Sequence, residues 1–385
     1  MKVRAWAELL RVSALFTVPG DALAGAAALG VRPGRRTALA VGASLCLYEA
    51  GMALNDWADR EEDARDRPHR PIPSGRISPR AALAAAGALT AAGLALASRA
   101  GRPALAVSAA LAATVWAYDL KLKHTVAGPA AMGAARALDL VLGAVATGPV
   151  AGPAVRAALP SAAILGAHTA AVTTVSRREA EGGSTAAPLA ALAVTVALGA
   201  VTARRTWPTP SPQSPDGLHA LSSIAGRAEN ALGGAHGAEH ALGAGHGAGN
   251  VLGGREAESS FRGGDAFRGG DEAAIQARPA IEDTSGRRPG RRRDGPHLPA
   301  GTGPGTRLVT AALTAAYVAT AAKPLLHAVL NPSPSLTQRA VGGGIRAMIP
   351  LQGALAARGG AVGVGLGVMG LVPIARALAR KVSPT

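Results

Sequence analysis

Aromatic side chains are almost missing from this chain: Phe, Trp and Tyr together make up 3% of its 385 residues. A water-soluble core of that size relies on aromatic area to fill its interior, so the shortage argues against two ordinary soluble domains. Cysteine is scarcer still. Cys46 alone can form neither an intrachain disulfide nor a Cys-based zinc site. Charged residues amount to only 17%, and no basic stripe interleaved with stacking aromatics is present, which excludes a nucleic-acid partner. Met1–Ala7 leads into an apolar stretch without a cleavage-like pattern, so the first helix is expected to be retained.

What fills the sequence instead is Ala, Gly and aliphatic residues in long runs, 48% hydrophobic overall, broken by short charged clusters. About 20 apolar residues cross the ~30 Å hydrocarbon core of a bilayer. On that measure the segments 9–30, 37–54, 81–98, 103–118, 129–150, 155–175, 187–203, 307–328 and 360–379 are expected to span it. The fold class is thus all-α, an integral membrane bundle of about nine helices. A further segment, 338–357, carries Arg339, Arg346 and Gln352 and reads either as a span or as a half-buried amphipathic helix.

The net charge of +16 is unevenly spread. Residues 208–304 hold 10 basic and 11 acidic side chains, which leaves 30 basic and 13 acidic beside the apolar runs, about +17. Basic loops at a membrane surface have that pattern. With Lys2 and Arg4 inside, the loops starting at Asn55, Asp119 and Ser176 also fall inside. The first of these is the richest, with Arg60, Arg65, Arg67, Arg70, Arg76 and Arg80. Against this orientation stand Arg32, Arg35 and Arg36 in the first outside loop.

Residues 208–304 are of different material. They contain a decapeptide repeat, AENALGGAHG, AEHALGAGHG and AGNVLGGREA, from Ala228 to Ala257, then FRGGDA and FRGGD from Phe261 to Asp271. Gly, Pro, Ser and charge dominate, and no core could be buried there. His236, His240 and His246 read as incidental to the repeat rather than as a metal site. The expected organisation is therefore 1–207 with seven helices, 208–304 as a disordered insertion on the face opposite the polar loops, and 305–385 with the C-terminal helices.

The chemistry gathers at Asn55–Gly75, NDWADREEDARDRPHRPIPSG. If the second helix continues past the membrane edge, Asn55, Asp59 and Asp63 at i, i+4 and i+8 form one stripe. Pro68, Pro71 and Pro73 stop the helix, leaving Arg67 and Arg70 near the outer end of that stripe. Stacked carboxylates are tolerated around a divalent cation, and oxygen ligands suit Mg²⁺. Arginines beside such a site match phosphate oxygens bidentately. The plain reading is a solvated helix end with mixed salt bridges. The fourth segment closes on YDLKLKH, where Asp119 could join a metal shell and Lys121 or Lys123 could neutralise a diphosphate. Arg136 and Asp139, three apart in apolar surroundings, should pair or face a polar cavity, as should Asp21, Glu49 and His168.

In combination these motifs resemble the UbiA superfamily of intramembrane prenyltransferases. NDxxDxxxD is matched by Asn55, Asp56, Asp59 and Asp63, and its Pro-rich tail by RPHRPIPSG from Arg67 to Gly75. YDxxLK is matched by Tyr118, Asp119, Leu122 and Lys123, and GxxR by Gly133 and Arg136. The resemblance covers all but 208–304. It departs at the second Asp-rich motif, where TTVSRREAEGG offers only Glu179 and Glu181, as in an actinobacterial branch. The resemblance implies Mg²⁺ held by Asn55, Asp59 and Asp63, with Glu179 or Glu181 for a second ion. It implies catalytic roles for Asp56, Asp59, Asp119 and Lys123. Substrate contacts would come from Arg67, Arg70, Lys121, Tyr118, Arg136 and Glu49. The substrates implied are an isoprenyl diphosphate and an aromatic or other small or lipid acceptor, in the plasma membrane with the site loops cytoplasmic. Two competing readings are a non-catalytic lipid-binding relative and a secondary transporter; the latter predicts repeated, broken helices, and none are visible in the sequence.

Overall fold

The structure is a computed structural model that describes residues 2–177, 182–204 and 303–382. Every regular element among them is helical. In chain order they are α1 Lys2–Leu9, a 3₁₀ turn Val12–Thr17, α2 Pro19–Ala28, α3 Arg35–Ala58, α4 Arg60–Asp66, α5 Pro79–Ala100 and α6 Arg102–Ala117. A π-helical turn Tyr118–Leu122 follows, then α7 Gly128–Thr147, α8 Ala151–Ser176, α9 Ala186–Ala203, α10 Pro304–Leu330, α11 Pro334–Arg358 and α12 Val362–Val382. Almost all of the repeat-bearing segment 208–304 lies outside the described residues, as do Glu179 and Glu181.

Among the described residues, seven helices are long and apolar enough to cross a membrane: α3, α5, α6 with its π turn, α7, α8, α9 and α10. The chain is a multi-pass membrane protein. The first and last expected spans are shorter, with apolar stretches of Leu15–Ala28 and Val362–Pro373. The expected run 9–30 is interrupted because Arg11 adopts a left-handed backbone, φ 48°, and Pro19 starts a new helix without an N–H to extend the old one. Segment 338–357 lies within α11, whose residues from Thr337 to Ala357 are mostly buried against α2, α8 and α10. Most of the helix is interior, and one face exposes Gln338, Arg339, Ile345 and Arg346.

Small residues explain how the bundle closes. A Cβ added at Gly143 of α7 would sit 2.1 Å from the Ala22 carbonyl oxygen of α2, and one at Gly25 of α2 would sit 2.0 Å from the Leu140 carbonyl. The two backbones therefore touch, which is how helices associate in lipid, where apolar burial offers no advantage. Polar side chains then fill the gap. Asp21, Arg136 and Gln352 meet there, all buried. At one end of the bundle α1 lies across the motif region. Leu9 packs with Leu54, Ile72 and Ile77, and Trp6 and Trp57 lie against that cluster. The Arg76 guanidinium grips the Glu8 carboxylate at 2.6 and 3.1 Å and holds its pKa below the ordinary value.

Candidate functional site

The site forms where α3 and α6 run out of the bundle at that same end. Gly51 lets them approach: a Cβ there would lie 2.9 Å from Val115 Cγ1 and 3.9 Å from an Asp119 carboxylate oxygen. One turn further on, Asn55 Nδ2 donates to Asp119 Oδ1 at 3.2 Å. With its amide nitrogen given to Asp119, Asn55 keeps its carbonyl oxygen as the end that can meet a cation.

The π-helical turn sets the partners on α6. Its Lys123 N–H bonds back five residues to the Tyr118 carbonyl at 3.0 Å. The extra residue per turn lets Asp119 and Lys123 both reach α3, and such bulges recur at functional sites. Lys123 Nζ donates to Asp59 Oδ1 in a short ion pair. Asp119 is buried and Tyr118 half-buried, whereas Lys121 is exposed.

α3 ends at Ala58 with Asp59 at its C-cap, but i→i−4 backbone bonds continue through Asp63 to Arg67. The motif carboxylates nevertheless divide into two groups instead of one stripe. Asn55 and Asp59 face α6. Asp63, 3% exposed, is held by Arg70 at 2.7 Å and stands 3.8 Å from Arg67. Asp56 lies 3.5 Å from Arg70 and accepts from Arg11 at 3.2 Å. The physical cause is the Pro-rich loop, which folds Arg70 back over α4, so that Asp63 is buried under a cation. Ser74 secures this loop by donating to the Arg70 carbonyl at 2.6 Å, and Gly75 turns it with φ 73°.

A cavity of about 370 Å³ opens over the first group, lined by Asp59, Glu62, Asp119, Lys123 and His124 among others. Ligand atoms of Asp59, Glu62 and His124 all lie within 4.8 Å of one another. Glu62 and Arg11 were not among the residues that the sequence picked out, and His124 appeared only as the end of a motif. Glu62 is i+3 from Asp59, a spacing that could have marked it. Nothing in the sequence marks Arg11, whose reach to Asp56 follows from its left-handed backbone.

The remaining candidates lie deeper. Arg136 pairs with Asp21 at 3.0 Å and donates to the Thr17 carbonyl at 3.0 Å. Asp139 accepts a short hydrogen bond from Ser44. His168 is buried between the Gly344 carbonyl, 3.0 Å from Nε2, and the Tyr317 hydroxyl, 3.1 Å from Nδ1, a pairing contact. Glu49 is buried with no hydrogen-bond partner for either oxygen among the described residues.

The model of the UbiA prenyltransferase family matches residues 13–210, slightly more than half of the chain. Curated relatives include digeranylgeranylglyceryl phosphate synthases. That of Methanopyrus kandleri is 39% identical over 128 residues, which is 32% of this chain and 45% of the relative. That of Ignicoccus hospitalis is 35% identical over 156 residues, 40% and 51%. The chain thus spans about half the length of the curated relatives it matches. Among solved structures, one concerning digeranylgeranylglyceryl phosphate synthase in membranes aligns with a TM-score of 0.49 at 15% identity, covering 94% of this chain and 99% of that one. A UbiA homolog from Aeropyrum pernix aligns with a TM-score of 0.46 at 18% identity, covering 86% and 96%.

Proposed function

The chain belongs to the UbiA prenyltransferase family, and from that premise we propose that it is a Mg²⁺-dependent membrane prenyltransferase using an isoprenyl diphosphate. The acceptor in this reading is the hydroxyl of a glyceryl phosphate lipid, the class named in the relatives from Methanopyrus and Ignicoccus. One observation carries the reading: Asp59, Asp119 and Lys123 line a single cavity, with Asn55 of α3 bonded to Asp119 and Lys123 paired with Asp59.

Asn55 Oδ1, Asp59 and Glu62 are the oxygen donors that would hold Mg²⁺, and a hard oxygen set fits that ion. When bound, the ion supplies positive charge against the leaving diphosphate. The chain's own Lys123, beside Asp59, faces the same cavity. Arg70, fixed by Asp63 and Asp56, belongs to the second group and not to the lining of this cavity. The allylic C–O bond breaks with its electron pair going to diphosphate. The acceptor oxygen then forms the ether bond, and its proton passes to water or to a carboxylate at the polar end. The apolar helices keep water from the allylic cation. By the excess of Arg in Arg60–Arg80, this end faces the cytoplasm in this reading.

The test is transfer of radiolabelled geranylgeranyl diphosphate to geranylgeranylglyceryl phosphate by the purified full chain, with and without Mg²⁺. The expected result is a Mg²⁺-dependent lipid ether. Transfer only to aromatic acceptors would replace the acceptor class, and no diphosphate release from any allylic substrate would remove the enzyme reading in favour of lipid binding. The same assay addresses the repeat-bearing segment. Deleting 210–302 should leave insertion and turnover within about twofold of the full chain, because loop length enters closure only logarithmically. A deletion variant that fails to insert or loses turnover gives that segment a structural or catalytic role.

A further inference from the structure

We propose that the α10–α11 hairpin carries a second binding site, separate from the catalytic cavity, for the phosphate headgroup of an anionic bilayer phospholipid. The first observation is in the sequence. After Asp294 the last 91 residues (385 − 294) contain no Asp or Glu, yet they carry eight Arg or Lys. α10 and α11 therefore hold no anion of their own that could neutralise their cations.

The second observation is spatial. A cavity of about 200 Å³ is lined by Lys323, Pro324, His327, Leu336, Arg339 and Arg346. Lys323, Arg339 and Arg346 are exposed, and among the described residues none of them has a carboxylate partner. Close to these cations the surface is apolar: Leu326, Leu330 and Ile345 are 46%, 75% and 40% exposed. That is the surface of a helix pair facing lipid.

The third observation is depth. Arg339 stands five residues into α11, roughly 7 Å from its start, and Lys323 seven residues before the end of α10, roughly 10 Å. Arg346 is twelve residues in, roughly 18 Å. Its side chain turns back, however. A Cβ at Gly342 would lie 3.3 Å from Arg346 Nη1, so the guanidinium reaches one turn toward the helix start. That is the direction a long cationic side chain takes to leave hydrocarbon. An unpaired cation on a lipid-facing wall is costly unless an anion meets it. A phospholipid phosphate supplies such an anion, and basic pockets between membrane helices bind it. The acyl chains would then lie along Leu326 and Ile345.

The hairpin shares the end of the bundle that bears the motifs. The Gly183 N–H bonds the Pro332 carbonyl at 2.7 Å in the loop between α10 and α11. Arg177, at the end of α8, contacts the His124 carbonyl at 3.5 Å. The headgroup would therefore come from the leaflet that borders the catalytic cavity.

The experiment reconstitutes the full chain in nanodiscs of phosphatidylcholine, titrated with phosphatidylglycerol, and reads the melting temperature and the phosphatidylglycerol retained in native mass spectra. The wild type should melt higher and retain phosphatidylglycerol as the anionic fraction rises. Single variants Lys323→Gln, Arg339→Gln and Arg346→Gln should each weaken the apparent lipid affinity about fivefold. The triple variant should lose the response while melting like the wild type in pure phosphatidylcholine and retaining prenyl transfer. An unchanged lipid response in the triple variant overturns the site. Should the triple variant fail to fold, the three single variants decide, and affinities equal to wild type overturn it equally. Inorganic phosphate added to phosphatidylcholine nanodiscs separates the sources: a shift matching that of the lipid makes the occupant a soluble anion and overturns the lipid assignment.

Discussion

Asp59→Ala is expected to lower Mg²⁺-dependent diphosphate release by about 10³-fold, the scale of losing one preorganised charged group at a reacting phosphate. Two effects combine. The carboxylate is the member of the motif that joins the Lys123 ion pair to the Glu62 and His124 cluster. Its removal takes away a cation ligand and also frees Lys123 from its fixed position. Asp63→Ala should behave differently, although the two residues sit at equivalent places in a helical stripe. Asp63 is buried beneath Arg70, and Arg70 retains Asp56 at 3.5 Å when Asp63 is lost. The expected effect is a raised KM for the diphosphate and a lower melting temperature, with kcat falling by about tenfold or less. Lys123→Met should lower kcat while the Mg²⁺ concentration for half-maximal rate stays close to wild type. Rate measurements over a Mg²⁺ titration check all three. Equal losses in the two Asp variants, with the same Mg²⁺ dependence, would show that Asp59 and Asp63 act as one stripe and that the division into two groups does not matter for chemistry.

That division also marks where the sequence stops being legible. The apolar runs are readable because a bilayer requires a length and a composition, and seven of the described helices meet that requirement. The convergence of Asn55 and Asp119 is readable from the motifs, since each ends a span at the same membrane face. The π turn is not readable, because nothing in YDLKL distinguishes a five-residue turn from a four-residue one; tertiary contact with α3 selects it. Arg11 is illegible for a similar reason, its reach depending on a backbone conformation that few non-Gly residues adopt. The alignment of Asn55, Asp59 and Asp63 on one side follows from helical spacing. What spacing cannot supply is the Pro-rich loop's path, which brings Arg70 onto Asp63 and removes that carboxylate from the cavity. The break at Arg11–Pro19 is partly legible in Pro19, yet apolar composition alone reads 9–30 as continuous.

The second large effect concerns Arg136, which by family resemblance touches substrate and by position belongs to a clasp. Asp21 is fully buried and pairs with Arg136 at 3.0 Å. Gln352 of α11 donates to Asp21 at 2.5 Å and to the Thr17 carbonyl at 2.6 Å. Four elements therefore converge on one polar knot: the 3₁₀ turn, α2, α7 and α11. Taking away one partner of a buried ion pair leaves the other charge without compensation, at a cost of about 3–5 kcal/mol. Arg136→Met is accordingly expected to lower the melting temperature in detergent by about 5–10 °C. Asp21→Leu should do the same, because an Arg cannot shed its charge. The double variant Asp21→Leu/Arg136→Met should be less destabilised than the sum of the singles, since the two side chains share one contact. A clasp also predicts that each single variant, at a temperature where it remains folded, retains the wild-type KM for diphosphate. If Arg136→Met instead melts with the wild type and loses diphosphate affinity, the guanidinium acts on substrate. The knot then holds through Gln352 and Asp21 without it.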